Sequence, residues 1–516
     1  MHIFAAYLIT FIASFCILVI EIVAGRILAP YVGVSLYTWT SIIGVVLAGI
    51  SIGAYLGGWI ADRFPRGSTL AWLLVVSGIA VLVISPVTNV IAGYQFPTTL
   101  MLRILIVTTI TFFIPSCILG TISPVVVKLA VKNMEKMGHS VGKIYAVSTL
   151  GSIIGTFAAG FFLISWIGTR EIILLMGCIM IATGVIFGIF VKMNKAAFVV
   201  AVIALATAGF FYDTAYKPQL EDYVTYYKES DYYTIKVDRT YGHDEVTVLN
   251  ALVLDHLTHS YVEPDNPYHI EYHYERIYAD VLKWKYRQSS PFKTLTLGGG
   301  GYTFPRYMDT YYPLSDNLVV EIDPQVTWVA FNQMGVPGDT RIRTINEDAR
   351  WYIMHCKDKY DVVYIDAYND LSIPYHLTTK EFAQQIRDIM NPGGILLTNI
   401  IDSFQEGSFM PSYIRTLREV FGKDNVHLVS INPDFKETGI STFIVMTGKG
   451  KMDIKAFASF LDKRLSGKGT SKIVPEALVN EYVSRNYSVL LTDNYAPVDN
   501  LIAPIFEKRF GYQRET

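Results

Sequence analysis

Apolar residues fill the first two-fifths of the chain in runs too long for ordinary core helices. A membrane-crossing helix needs roughly 20 predominantly apolar residues. Seven stretches qualify, at about 4–26, 37–60, 69–92, 102–130, 144–167, 170–191 and 196–212. The first is too long, and has too many successors, to be a cleaved signal peptide. The fourth carries Pro115 and Pro124, which predict a kink or a break. Residues 1–212 therefore read as a transmembrane domain of about seven helices, with the lipid bilayer as partner and a cell (inner) membrane as location. Gly49, Gly53 and Gly57, and again Gly151 and Gly155, recur at the four-residue spacing that lets helix backbones approach closely. Glu21 is an acid inside the first run, five residues before Arg26; it is either a functional charge or one half of a pair near the membrane surface.

Past residue 212 the period changes. "YYTIKVDR", "EVTVLN" and "ALVLD" alternate as short strands, and "YERIYADVLKW" has helical spacing, so 213–290 reads as a small β-rich part. From 291 to 516 buried strand-like runs alternate with helical ones: "TLTL", "LVVEID", "RIRTIN", "YDVVYID" and "GGILLTNI" are separated by "VTWVAFNQM", "DARWYIMHC" and "TTKEFAQQIRDIM". That alternation predicts a Rossmann-like, doubly wound α/β domain with a mainly parallel sheet. The fold class expected is thus a polytopic α-helical membrane domain followed by a nucleoside-binding α/β domain with a small β-sheet at its start.

Composition narrows the partners. The 516 residues carry 43 Lys+Arg against 45 Asp+Glu, a balance that gives no reason to expect nucleic acid. Four cysteines, three of them in apolar runs, offer neither a disulfide framework nor zinc spacing. His256, His259, His269 and His273 lie close in sequence, but their spacing does not define a metal site, and no metal is expected. The loops after even-numbered runs hold Arg63, Arg66, Lys128, Lys132, Lys136, Lys143, Lys192 and Lys195; the others hold fewer basic residues. This bias puts the N-terminus inside. Seven crossings would then put the soluble part outside, whereas the chemistry below needs a cytosolic co-substrate; the two expectations conflict.

That chemistry sits at predicted strand ends, where open α/β sheets bind ligands. Gly298, Gly299, Gly300 and Gly301 follow the first strand, Glu321 and Asp323 end the second, Asp348 follows the third and Asp366 ends the fourth. Glycines admit a ligand to the backbone at a helix start, and an acid about twenty residues on can accept from two ribose hydroxyls. Together they describe a nucleoside site; Asp323 and Asp348 also read as helix caps.

The quoted segments resemble the polyamine aminopropyltransferases, or spermidine synthases, and most of all their membrane-fused bacterial members. "GGGGYTFPRYM", "VVEIDP", "YDVVYIDAYND", "IPYHLTTKEF", "NPGGILLTNI" and "LTDNYAPVD" are similar to the catalytic module. "EIVAGRILAPYVG" and "GKIYAVSTLGSIIGTFAAGFFL" are similar to the fused membrane module. The resemblance implies a transferase that moves an aminopropyl group from decarboxylated S-adenosylmethionine to a polyamine such as putrescine, and a homodimer as a frequent state. It implies that Gly298, Gly299, Gly300 and Gly301 bind the co-substrate, the first three lying against the nucleoside and sulfonium. Glu321 would hold the ribose beside Asp323, Asp348 would meet the adenine amino group, and Asp366 would be the catalytic acid. His259 falls where the family often has a glutamine, and Tyr274 and Glu275 where it has a His-Glu or Gln-Glu pair. Tyr368, Asn369, Asp370 and His376 would line the acceptor side.

Two departures keep other functions open. The family usually has an aspartate, which grips the donor's amine, where this chain has Gly301, and its second acceptor acid is Asn369 or a displaced Asp370. An acid-free loop tolerates intact S-adenosylmethionine better, so a methyltransferase acting on a small amine is the alternative enzyme. A polyamine transporter with a sensing domain is the alternative from another class, resting on Glu21, the glycine-rich runs and "GGWIADRFPR".

Overall fold

The computed structural model describes residues 1–33, 35–92, 94, 96, 98–131, 137–218, 220–367, 373–436, 439–465 and 471–510. They form two compact units, the first of Met1–Glu221 with Glu229–Asp231 and the second of Asp222–Lys228 with the residues from Tyr232 onward.

The first unit is helical. Among the described residues six helices are long and apolar enough to cross a membrane: Ile3–Val32, Leu36–Arg63, Gly67–Ile91, Met101–Ala130, Met137–Ile167 and Thr169–Phe190. The seventh apolar run forms Lys195–Phe210, a helix of 16 residues. At 1.5 Å per residue it reaches about 24 Å, short of a hydrocarbon core roughly 30 Å thick. The break expected in the fourth run is present. Its helix widens into a π turn at Thr109–Phe113, immediately before Pro115, and is interrupted again at Thr121, ahead of Pro124. Proline lacks the N–H and crowds the carbonyl four residues back, which for Pro115 is Thr111, inside that π turn.

The glycine spacing has a direct packing cause. A Cβ on Gly53 would stand 2.0 Å from the Cys117 carbonyl oxygen, one on Gly57 2.5 Å from that of Thr121, and one on Gly120 2.6 Å from that of Ile50. Gly151 and Gly155 meet the carbonyls of Phe11 and Phe15 in the same way, at 2.4 and 2.6 Å. Glu21 is half-buried, and Arg26 donates to the Ser230 carbonyl at 2.7 Å.

The second unit holds two sheets. The smaller is a meander β1-β2-β3-β4, made of β1 (Val224–Glu229), β2 (Thr234–Tyr241), β3 (Val248–Leu254) and β4 (Leu257–Val262). Its apolar face, with Ile235, Val237, Leu252 and Val262, packs on Val326 and Val329 of helix Pro324–Gln333. The larger sheet comprises β5 (Phe292–Leu297), β6 (Ser315–Glu321), β7 (Arg343–Asn346), β8 (Tyr360–Ile365), β9 (Met390–Asp402), β10 (Val426–Ser430), β11 (Ser441–Gly448) and β12 (Lys472–Ile473). Its order is β12-β10-β11-β9-β8-β5-β6-β7. Strands β5 to β9 run parallel and β10 to β12 add antiparallel pairs at one edge. The central strands are buried almost throughout, as continuous apolar runs must be when helices cover both faces. One face packs Val362, Tyr364, Leu397 and Ile444 against Ile277, Tyr278 and Val281 of helix His273–Lys285. Strand order reverses at β5, whose neighbours are β6 and β8, so the carboxyl ends of these three strands diverge into a crevice.

Candidate active site

The crevice at that reversal is a cavity of about 240 Å³. Its floor is the loop after β5. Gly298 has φ of +92°, and a Cβ there would stand 2.4 Å from the Asp366 carbonyl oxygen, so strand tips β5 and β8 touch through backbone. Gly301 is buried; its N–H donates to Ser260 Oγ at 2.8 Å, and a Cβ would stand 2.7 Å from the Ser260 Cβ. Gly298 and Gly300 line the cavity and Gly299 lines a recess beneath it, whereas Gly301 borders neither. Protein atoms, before any ligand, thus account for much of the glycine requirement.

Glu321, at the tip of β6, shapes the loop. One of its oxygens accepts the Gly299 N–H at 2.7 Å and the other the Asp323 N–H at 3.0 Å. Burial raises its carboxyl above the usual carboxylate range, and the backbone donors of Asp323 and Gly299 oppose the shift. It remains on the cavity wall, beside Ile322, Glu347 and Asp348. Asp348 caps helix Ala349–His355 through the Trp351 N–H at 2.9 Å and lies 3.1 Å from His376 Nε2. It is therefore both cap and cavity wall. Asp323 differs. It is buried, its side chain accepts the Gln325 N–H at 2.8 Å, and it does not reach the cavity, so the cofactor-binding place expected for it gives way to helix capping.

At the tip of β8 stands Asp366. Tyr274 donates its hydroxyl to one carboxylate oxygen at 2.9 Å, and the Asn399 amide donates to the other at 3.0 Å. Desolvation raises its carboxyl above the ordinary range, while the bonds from Asn399 and Tyr274 hold it down. Tyr274 and Glu275 open the helix His273–Lys285, and both are buried beside Asp366 in the recess. His259 lines cavity and recess alike; burial pushes its imidazole down to about 4, with His256 adding to the shift, so it is neutral at pH 7. Tyr368, Asn369 and Asp370 lie outside the described residues.

Of the predicted residues, then, Gly298, Gly300, His259, Glu321, Asp348, Asp366 and His376 share one cavity, and Gly299, Tyr274 and Glu275 join it through the recess. Sequence reasoning missed Asn399, Ser260, and Tyr232 and Tyr233 of the cavity wall. The signal for Asn399 was a lone amide at the end of the apolar run "GILLTNI", on the strand beside β8.

Fold and site together define a doubly wound α/β unit with an acid, Asp366, at the tip of the third strand after the glycines. Residues 275–456 match the family model described as Spermine/spermidine synthase domain. It is 30% identical over 219 residues to a probable polyamine aminopropyl transferase of Bifidobacterium longum, covering 40% of this chain and 48% of that protein. It is 32% identical over 136 residues to a polyamine aminopropyltransferase of Vibrio vulnificus, covering 26% and 44%. The chain spans about half the length of these curated relatives. A solved structure of a probable spermidine synthase from Corynebacterium glutamicum aligns with 55% of this chain and 99% of its own, at 21% identity and a TM-score of 0.45.

Proposed function

We propose that the second unit transfers an aminopropyl group from decarboxylated S-adenosylmethionine to a polyamine such as putrescine, and that the first unit anchors the enzyme in a membrane. The observation that carries this reading is Asp366, fixed on both oxygens by Tyr274 and Asn399 at the edge of a cavity walled by Gly298, Glu321 and Asp348. A sulfonium carbon is already electrophilic, and its thioether leaves without a proton. The scarce species is a neutral amine, since free alkylamines have a pKa near that of lysine, about 10.4. Asp366 positions the amine nitrogen and takes the proton lost as its lone pair forms the new C–N bond and the C–S bond breaks. Glu321 would accept from the ribose hydroxyls, and Asp348, with Glu347 and Ile322, would border the base.

The six long apolar helices support a multi-pass arrangement with both ends on one side. Six crossings reconcile the two expectations that seven set against each other: the Lys/Arg-rich loops, the N-terminus and the second unit all fall in the cytoplasm, where the nucleoside is made. Protease protection in intact spheroplasts tests this; digestion of the second unit from outside would reverse the orientation.

A methyltransferase reading has one observation in its favour, the glycine at 301 in place of the family's aspartate. Mass spectrometry of products separates the two. The purified chain is given either nucleoside with a panel of diamines, and products gaining an aminopropyl mass are expected from the decarboxylated donor alone. Methylated amines from the carboxylated donor would overturn the assignment. Asp366→Asn should lower turnover by about 10²- to 10⁴-fold while nucleoside binding persists; unchanged turnover would remove Asp366 from the chemistry.

A further inference from the structure

Beneath the glycine loop the cavity continues into a recess of about 40 Å³, sharing Gly298, Gly300, His259 and Asp366 with it. That is room for about three water-sized groups, enough for the end of a short alkyl amine. Its other walls are Tyr274, Tyr278, Tyr364, Phe304 and Glu275. Glu275 is 5% exposed, and its Oε2 has no hydrogen-bond partner. A buried carboxylate oxygen left without a donor is costly, so the site is incomplete as it stands. Asp366 differs, since each of its oxygens already has one donor, from Tyr274 or Asn399.

The charge of the missing ligand follows from what surrounds it. The guanidinium that acts on Glu275, Arg306, lies outside the recess lining and gives both its terminal nitrogens to backbone: Nη1 donates to the carbonyls of Pro264, Met334 and Gly335, and Nη2 to those of Glu263 and Asn266, while its buried Nε has no partner. His259 is neutral, and its Nε2 has no partner. Among the described residues the recess lining therefore holds two acids, Glu275 and Asp366, and no cationic side chain. Its aromatic walls reinforce the sign: Tyr278 lies 5.1 Å from Tyr364 and 5.6 Å from Tyr274, centroid to centroid, and ring faces attract cations. The buried hydroxyls of Tyr278 and Tyr364 also lack partners.

We propose that Glu275 recognises the terminal ammonium of the donor's propyl tail, in place of the loop acid this chain lacks at 301, and that it thereby rejects the carboxylated nucleoside. The inference rests on the aminopropyl reading above and deepens it. The loop could not carry the acid itself: even a Cβ at 301 would stand 2.7 Å from the Ser260 Cβ and 3.0 Å from the Met334 methyl. The recognition site has moved to the helix start at 273–275, which lines the same recess as Gly298–Gly300. Burial, and then the neighbouring Asp366, raise the Glu275 carboxyl well above its usual range, opposed by Arg306 and the Phe304 N–H, and an ammonium seated beside it would favour the ionised form.

Equilibrium binding of three nucleosides to the full chain in detergent tests this: decarboxylated S-adenosylmethionine, S-adenosylmethionine, and methylthioadenosine, which has neither amine nor carboxylate. The unmodified chain should prefer the decarboxylated form over the carboxylated one by at least about 100-fold. Glu275→Gln should weaken the decarboxylated form by about 10- to 100-fold, leave methylthioadenosine within about twofold, and narrow the preference accordingly. Glu275→Asp, which keeps the charge, should retain most of the preference. An unaltered preference in Glu275→Gln, with methylthioadenosine still bound, overturns the role of Glu275 and spares the nucleoside site. Equal weakening of all three ligands in both variants also overturns it, because Glu275 then shapes the pocket without reading the tail. Failure of the unmodified chain to bind any of the three would overturn the aminopropyl reading as well.

Discussion

Gly53 in the helical unit and Gly298 in the sheet unit face the same obstacle, a backbone carbonyl oxygen where a Cβ would stand, at 2.0 Å from Cys117 and 2.4 Å from Asp366. Their own backbones differ. Gly53 sits in the middle of the regular helix Leu36–Arg63, whereas Gly298 has φ of +92°. In the first case glycine is demanded only by a neighbour, and a side chain could be admitted if two helices moved apart. In the second it is demanded by the neighbour and by the residue's own conformation, and no rigid-body shift relieves the latter. Close packing in the helical unit is therefore adjustable at a cost in stability, and the crevice loop is not adjustable.

Paired substitutions put numbers on that contrast. Gly298→Ala should show the larger effect, a loss of about 100-fold or more in nucleoside affinity, since a strained φ and a contact with the β8 tip combine to about 3 kcal/mol. Gly53→Ala should lower the melting midpoint of the chain in detergent, at about 1–3 kcal/mol for overpacking, and leave nucleoside affinity unchanged. Equal effects on affinity would show that the two glycines share one role and would dissolve the comparison.

Tyr274→Phe sharpens the site half of it. Asp366 is raised by burial and held down by donors from Asn399 and Tyr274. Removing one donor worth about 1 kcal/mol raises the carboxyl further, so the acid limb of the turnover profile should move to higher pH by about half a unit to one unit. A limb that moves to lower pH, or not at all, would mean that a different group sets it.

The parts legible in the sequence were those written in local pattern. The alternation from Thr294 to Ile400 gave the parallel strands because buried central strands must be apolar on both faces. The acids at 321, 348 and 366 could be placed on one crevice because strand tips in a doubly wound sheet share a side. Two kinds of information were not local. The span boundary needed lengths, and Lys195–Phe210 reads as apolar whether or not it is long enough to cross. Asp323 and Asp348 stand before helices in the same way, yet only Asp348 borders the cavity, which depends on where the His376 turn lies. Asn399 and Ser260 act across sequence separations of 33 and 41 residues, through sheet register and a hairpin that no periodicity reports.

The smallest expected effect lies at the rim, where Asp493 of "LTDNYAPVD" fastens the His376 turn. Arg350 donates to both Asp493 oxygens at 2.7 and 2.6 Å, Thr379 Oγ1 donates to one of them at 2.7 Å, and Arg350 also reaches the His376 carbonyl at 3.1 Å. His376 Nε2 in turn lies 3.1 Å from Asp348, so the pair acts on the cavity wall at one remove. The Asp493 carboxyl is held below its usual value, chiefly by the Arg350 bond. A depressed acid stabilises the fold above its unfolded pKa, near 4, and loses that contribution as pH falls through the folded value. Because the Asp493 side chain is 41% exposed, water screens the pair and its worth stays below about 1 kcal/mol. Asp493→Asn should therefore raise KM for the nucleoside only about two- to threefold at pH 7, with kcat unchanged, and the gap in stability from the unmodified chain should close in acid. A fall in kcat would instead place this rim in the chemical step, and would extend the rigid region of the second unit beyond the strand tips to the surface turn at 374–379.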